Sequence, residues 1–283
     1  MSKDILLKKF VSWLLGKKSQ GELDINSRTW RSQIAWCWEI IPDQPKLKDS
    51  YSVIVIDGIR VSSQVCLIAK TTERVIGWHW VSWESSTTWE CLLGRIPCPS
   101  VVVCDGQKGM TLAIARNWPN THIQRCIFHV WQNIRIRLTL NPKTEAGKDL
   151  LHLVRDIWEV KDIKAVKKWI SSLDDWKAKY EPYLKERTYA NPDNLQQNKY
   201  RRKWWYTHKN LRSSYRQLKS LSENQQLFTY IYTSTDIPIP RTTNHVEGGV
   251  NSQIRTLLKH HRGLSQTHQQ RLVDWYLSSR SDC

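Results

Sequence analysis

Along the first forty residues the apolar positions recur every three or four. Leu6, Leu7, Phe10, Val11 and Leu14 share one helical face, and Gly16 supplies a stop. Ser19-Gln-Gly-Glu22 has capping-box spacing and predicts a second short helix; Ser27, ahead of Arg28 to Trp36, marks a third. Pro42 through Ser50, with two prolines, reads as a linker. From Tyr51 the period shortens to two. Tyr51 to Ile56, Val61 to Ala69 and Arg74 to Val81 predict an antiparallel meander with short turns. There follow a helix from about Thr87 to Arg95, a wholly apolar strand Val101 to Cys104, a helix Gln107 to Asn117, and a short fifth strand at His122 to Gln124. The next helix starts near Cys126, with Ile127, Val130, Trp131, Ile134 and Leu138 on one face, and Asn141-Pro142 ends it. Residues 143 to 240 read as amphipathic helices, with no strand before the aromatic run Phe228 to Tyr232. A last helical region opens at Arg241.

The element order β-β-β-α-β-α-β-α makes a mixed sheet with crossovers only after the third strand. It is the order of a ribonuclease-H-like domain. The fold class expected is therefore α/β: a ribonuclease-H-like mixed sheet, interrupted by an all-helical insertion and preceded by a small helix-turn-helix-like domain. The domain boundaries follow as 1-48, 49-140, 141-240 and 241-283, the second and fourth being the two parts of the sheet domain.

Three acids fall at telling places in this plan. Asp105 ends the buried fourth strand, where Gly106 and Gly109 let the chain turn, and ligands gather at that edge of an α/β sheet. Asp57 ends the first strand, which in this order lies beside the fourth. Each Asp-Gly pair, taken alone, is also a good turn. Glu247 leads the face Val250, Ile254 and Leu257 or Leu258 that must dock on the sheet; the competing reading, a capping box from Asn244, does not need Glu247 on that face. Two acids on adjacent strands and a third on a helix across them suit two divalent cations, magnesium or manganese by their oxygen ligands, for in-line attack on a phosphodiester. Without metal such packing is costly, because like charges repel.

Charge turns the picture toward nucleic acid. Lys and Arg outnumber Asp and Glu 43 to 26 over 283 residues, for a net charge of +17. No apolar run approaches the roughly 20 residues of a spanning helix, and the start lacks a signal-peptide pattern, so a cytosolic, nucleoid-associated protein is expected. In the N-terminal helices Trp30, Ile34 and Cys37 or Trp38 would pack inward, leaving Arg28, Thr29, Arg31, Ser32 and Gln33 for a major groove; a helical cap with a solvated face is the alternative. Lys199 to Lys219 holds Arg201, Arg202, Lys203, Lys209, Arg212 and Arg216, no acid, and Trp204, Trp205, Tyr206 and Tyr215, a composition that neutralises phosphates. The seven scattered cysteines read as reduced thiols.

In these blocks the chain resembles the Mutator-like bacterial insertion-sequence transposases. The matching pieces are Ile56-Asp57-Gly58, Val103 to Gly109, Trp118 to His129, and Thr243 to Glu247 with Asn251 and Arg255. The resemblance implies a DDE-type enzyme with Asp57, Asp105 and Glu247 as metal-binding catalytic acids and two Mg2+ or Mn2+ ions. It further implies double-stranded DNA partners, namely terminal inverted repeats and target DNA, and a homodimer or larger synaptic complex. Cys126 and His129 match the family's Cys-x-x-His signature. Alone they are half a zinc site with no second pair, so a local hydrogen-bonding role, or for His129 contact with DNA or the scissile phosphate, is expected. His245 stands either at the rim of the active site or exposed at a helix start. Family members lead one to expect a longer N-terminus with a cysteine-rich ribbon; nothing comparable precedes Phe10, so the chain is either compact or lacks part of that end. A nuclease of the same fold without strand transfer, and a non-catalytic DNA-binding derivative, are the competing functions.

Overall fold

The computed structural model describes residues 2–190, 203–243 and 249–281. The chain forms two compact units, one of residues 1–121 with 235–283 and one of residues 122–234.

The first unit is built on a mixed sheet. β1 (Val53–Val61) pairs antiparallel with β2 (Gln64–Lys70), which pairs antiparallel with β3 (Val75–Val81), and β1 pairs parallel with β4 (Val101–Cys104), giving the order β3-β2-β1-β4 within this unit. The meander is present, but its first strand runs farther than expected. β1 continues through Asp57-Gly58 to Val61, and the reversal falls at Ser62, whose φ of 51° gives the left-handed turn that an Asp-Gly pair would otherwise announce. Gly58 is retained inside the strand for a different reason: a Cβ there would stand 3.0 Å from Glu84 Oε1.

Helices cover the sheet. α1 (Lys3–Leu14) and α2 (Ser27–Ile34) flank a 3-10 turn at Gln20–Glu22, where Ser19 and Glu22 make the expected capping box; α2 is capped by Asn26, one residue before the predicted Ser27. α3 (Ser86–Leu93) and α4 (Lys108–Asn117) form the crossovers around β4. From the distal end of the sequence come α10 (Val250–His260) and α11 (Gln266–Ser279). One core joins these ends: Phe10, Leu14, Trp30, Ile34, Cys37 and Trp38 pack with Ile59, Cys66, Val75 and Trp78 of the sheet and with Ile254, Leu257, Leu272 and Leu277. Apolar side chains brought from both ends of a chain bury the area that either end alone would leave wet. Asp274 anchors α11: its Oδ1 accepts from Trp78 Nε1 at 2.9 Å and Trp80 Nε1 at 2.8 Å, and its Oδ2 from Arg271 at 3.0 Å.

The second unit opens with β5 (His122–Arg125) and continues as α5 (Ile127–Leu138), α6 (Glu145–Asp156), α7 (Ile163–Lys185), α8 (Lys209–Glu223) and the short α9 (Thr229–Tyr232). Ile134, Leu150, Val154, Trp169, Leu173, Trp176, Tyr215 and Leu218 form its core. The insertion is not all-helical. β6 (Arg187–Tyr189) and β7 (Trp204–Tyr206) make an antiparallel ribbon, held partly by Arg187 stacked 4.0 Å from the centroid of the Trp204 ring. Nor is Phe228 to Tyr232 a strand: Phe228 is buried, and Thr229 Oγ1 donates to the carbonyls of Ile123 and Gln225, closing one helical turn. Of the six described cysteines, Cys37, Cys66, Cys104 and Cys126 are buried as expected, whereas Cys91 and Cys98 are exposed, and all are free thiols.

Candidate active site

The strands that lead to the two aspartates are neighbours. β1 and β4 are parallel, with Val53 opposite Val101, Ile54 opposite Val102 and Val55 opposite Val103. Two residues past the last pair come Asp57, still within β1, and Asp105, the first residue beyond the end of β4. The four residues of β4 are fully buried, and the chain leaves the sheet immediately after Cys104. Gly106 takes a φ of 72°, a conformation natural to glycine, and starts the turn into α4. Asp105 Oδ1 accepts from the Gln107 amide at 2.9 Å, which fixes the carboxylate at the strand end.

Asp57 is held from two directions. Its Oδ1 accepts from the Gly58 amide at 3.0 Å, and its Oδ2 accepts from Asn251 Nδ2 at 2.8 Å. Asn251 lies in the first turn of α10, so this bond carries the segment after Glu247 to the first acid. Glu247 and His245 lie outside the described residues.

Two charged groups beside this pair were not singled out by sequence. Glu84, just before α3, lays its carboxylate over Gly58, and its Oε2 is buried with no hydrogen-bond partner. Burial pushes the Glu84 carboxyl up, and the charges of Asp105 and Asp57 push it the same way; the indole of Trp89 and the charge of Arg60 oppose them. The available signal was an acid immediately ahead of the Ser85 capping box, at the end of the third strand. Lys70, at the end of β2 opposite Val55, is only 9% exposed. It lines a narrow cleft with Val55, Asp57, Ile68, Thr243, Gly249, Val250 and Asn251. Desolvation pulls its ammonium below the ordinary lysine range and the Asp57 charge works against that. Nothing in a strand pattern announces a lysine turned inward.

The donor chemistry fits a hard divalent cation. Asp57 and Asp105 carry hard oxygen donors at the ends of neighbouring strands, and their charges reach the Glu84 carboxylate. Among the described residues no group of three His, Cys, Asp or Glu side chains stands close enough to hold a metal ion, and the third expected acid is not among them.

The remaining predicted residues lie as follows. In the first unit Arg28, Arg31 and Gln33 are exposed on α2, while Trp30, Ile34, Cys37 and Trp38 are buried. In the second unit Cys126 is buried at the start of α5 and His129, half-buried, sits in the first turn. Arg201 and Arg202 lie outside the described residues, and Lys203, Lys209 and Arg216 are exposed. Arg212 is turned to the protein: it donates to the Leu184 carbonyl at 2.8 Å and stacks 3.9 Å from the centroid of the Tyr206 ring. Among the described residues no helix is long and apolar enough to cross a membrane.

A family model described as "Transposase, Mutator family" matches residues 45–214, a stretch that holds Asp57, Asp105, Cys126 and His129 but ends before Glu247. The transposase for insertion sequence element IS905 of Lactococcus lactis subsp. lactis (strain IL1403) is 26% identical over 167 residues, covering 53% of this chain and 41% of that protein. A probable transposase for an insertion sequence element of Corynebacterium diphtheriae is 28% identical over 92 residues, 29% of this chain and 27% of its own length. The chain thus aligns with less than half the length of either relative.

Proposed function

Because the chain belongs to the Mutator family of transposases, we propose that it binds the terminal inverted repeats of its own element, cuts phosphodiester bonds at the ends, and joins the freed 3′-hydroxyl to target DNA. The observation that carries this reading is the parallel pairing of β1 and β4, the strands that lead to Asp57 and Asp105, with Asn251 of α10 bonded to Asp57. Asp57, Asp105 and Glu247 would hold the divalent ions, magnesium or manganese. When bound, such ions activate a water or 3′-hydroxyl and stabilise charge on the leaving oxygen.

The protein's own groups prepare that chemistry. Asn251 orients the Asp57 carboxylate, and the Gln107 amide orients that of Asp105. Gly106 turns the backbone away and leaves the second carboxylate accessible. The order β3-β2-β1-β4 supports reading the sheet as ribonuclease-H-like. The exposed Arg28, Arg31 and Gln33 support a DNA-reading, helix-turn-helix-like role for the N-terminal helices, residues 1-48. Lys203, Lys209 and Arg216 offer phosphate contacts in the insertion, residues 141-240, whereas the bonding of Arg212 suits it to hold that surface in shape. Cys126 and His129 are retained as accessory groups, and pairing of two element ends calls for a dimer or larger synaptic complex.

The test is incubation of labelled terminal-repeat DNA with the protein and Mg2+ or Mn2+. Wild type should nick at the element boundary and form joined products, and Asp105→Ala should lose both while still retarding the DNA. An Asp105→Ala protein that nicks at the wild-type rate would sink the assignment.

A further inference from the structure

The cleft beside Asp57 opens into a groove of about 180 Å³ lined by Lys70, Arg74, Gly249, Val250, Tyr276 and Arg280, with Glu73 exposed at its edge. Lys70, Gly249 and Val250 line both spaces, so the groove begins where the first acid stands. Three observations give it an anionic preference. Lys70 is about nine-tenths buried, with the charge of Asp57 in the same cleft, and among the described residues neither it, Arg74 nor Arg280 makes a close ion pair, so three cations line one space. Gly249 and Val250, at the N-terminus of the eleven-residue α10, line the same space. Arg74 and Arg280 are held next to one another by the backbone bond from Val75 N to Arg280 O at 2.9 Å, which fixes two guanidinium-bearing residues on neighbouring chain segments. Among the described residues the acids facing this set are Asp57 at the inner end and Glu73 at the rim.

We propose that this groove is a subsite for the sugar–phosphate backbone of the DNA strand that reaches Asp57. Lys70 and the start of α10 hold the phosphate nearest the acids, and Arg74 and Arg280 hold those beyond. The inference deepens the function proposed above and rests on it for the identity of the strand. It differs from the contacts expected of α2 and of the Lys199 to Lys219 segment, because it binds backbone at the catalytic face and reads no bases. A buried lysine beside a metal-binding acid serves such a site well: its charge meets the phosphate at a fixed point, where low dielectric strengthens the attraction.

The test is anisotropy of labelled duplex DNA bound to the full chain in EDTA, so that binding is read apart from chemistry, over a series of KCl concentrations. Arg74→Gln and Arg280→Gln should each weaken binding several-fold and lower the slope of log K against log salt by about 0.7–0.9. Lys70→Met, which keeps the buried stem, should do the same. Lys167→Gln, exposed on α7 in the second unit, controls for net charge and should leave the slope unchanged. Unchanged affinity and slope in arginine variants that melt like wild type would overturn the proposal. So would a Lys70-dependent stabilisation by inorganic phosphate in variants whose DNA slope is untouched, since the groove would then hold a free anion. Nicking by Asp57→Asn, measured on the same preparations, separates the two readings. Normal nicking removes the assigned chemistry, while the salt slopes still decide the groove.

Discussion

Asp274 is the side chain whose removal should do most damage per atom. Its side chain is 8% exposed and is the shared acceptor of two indole N–H groups and of Arg271, whose side chain is itself only 14% exposed. Asp274→Ala leaves all three without that acceptor. A buried donor without its partner costs about 1–3 kcal/mol, and removing one member of a buried ion pair about 3–5 kcal/mol. These overlap, so about 4 kcal/mol is expected for the first unit, or a melting temperature lower by about 8–16 °C at this size. Asp274→Asn keeps an oxygen for both indoles but sets an amide NH2 against the Arg271 guanidinium, and should cost about 1–2 kcal/mol. The pH dependence gives a second handle. Burial pushes the Asp274 carboxyl above its unfolded value, against the pull of Trp80, Trp78 and Arg271. The folded state therefore holds the proton longer than the unfolded chain. Its stabilising share is full below about pH 3.9 and declines as pH rises through the folded value, so the deficit of the Asn variant should be largest in acid. Urea unfolding followed by far-UV circular dichroism, with hydrogen exchange of the α11 amides, measures both effects. An Ala variant within about 1 kcal/mol of wild type would refute the anchoring role.

Asn251→Ala should cut nicking by about 10–100-fold, as loss of a ligand-orienting bond does, with DNA affinity unchanged; equal losses in binding and nicking would argue instead for a collapsed site. Glu84→Gln should raise the melting temperature in EDTA by about 2–4 °C, by removing a partly buried like charge, and should shrink the stabilisation given by Mn2+; a lower melting temperature in EDTA would contradict this. His261, which donates from Nε2 to the Leu14 carbonyl at 3.1 Å, has its proton affinity lowered mainly by burial, against the pull of that bond. Its contribution is present above about pH 6.5 and lost as pH falls through the lower folded value, so acid unfolding should begin later in His261→Gln than in wild type.

Where a short stretch decides its own structure, the sequence could be read directly. Val101 to Cys104 is apolar throughout and bounded by turn residues, which left a buried strand as the natural reading, and Ser19 with Glu22 spelled a capping box that forms. The adjacency of β1 and β4, the strands that lead to Asp57 and Asp105, followed from strand order. What local pattern could not supply was contact across the fold. Asp57-Gly58 carries the strongest short turn signal in its region, yet the strand passes through it because Glu84 packs over Gly58. The inward turn of Lys70 depends on α10, nearly 180 residues away, and the ribbon of β6 and β7 depends on a cation stacked on Trp204. Aromatic residues in Phe228 to Tyr232 suggested a strand; burial of Phe228 and the hydroxyl of Thr229 made a helical turn instead.

The joining of both ends of the chain in one core has a consequence for synthesis. Phe10, Trp30 and Trp38 leave the ribosome early, but Leu272 and Leu277, which cover the same cluster, come more than 230 residues later. At about 5–20 residues per second that delay is on the order of 10–50 s. Throughout it the nascent chain presents a tryptophan-rich surface with no lid, open to chaperones and proteases. A product truncated before α11 should therefore be cleared, and this core closes only once α11 has been made.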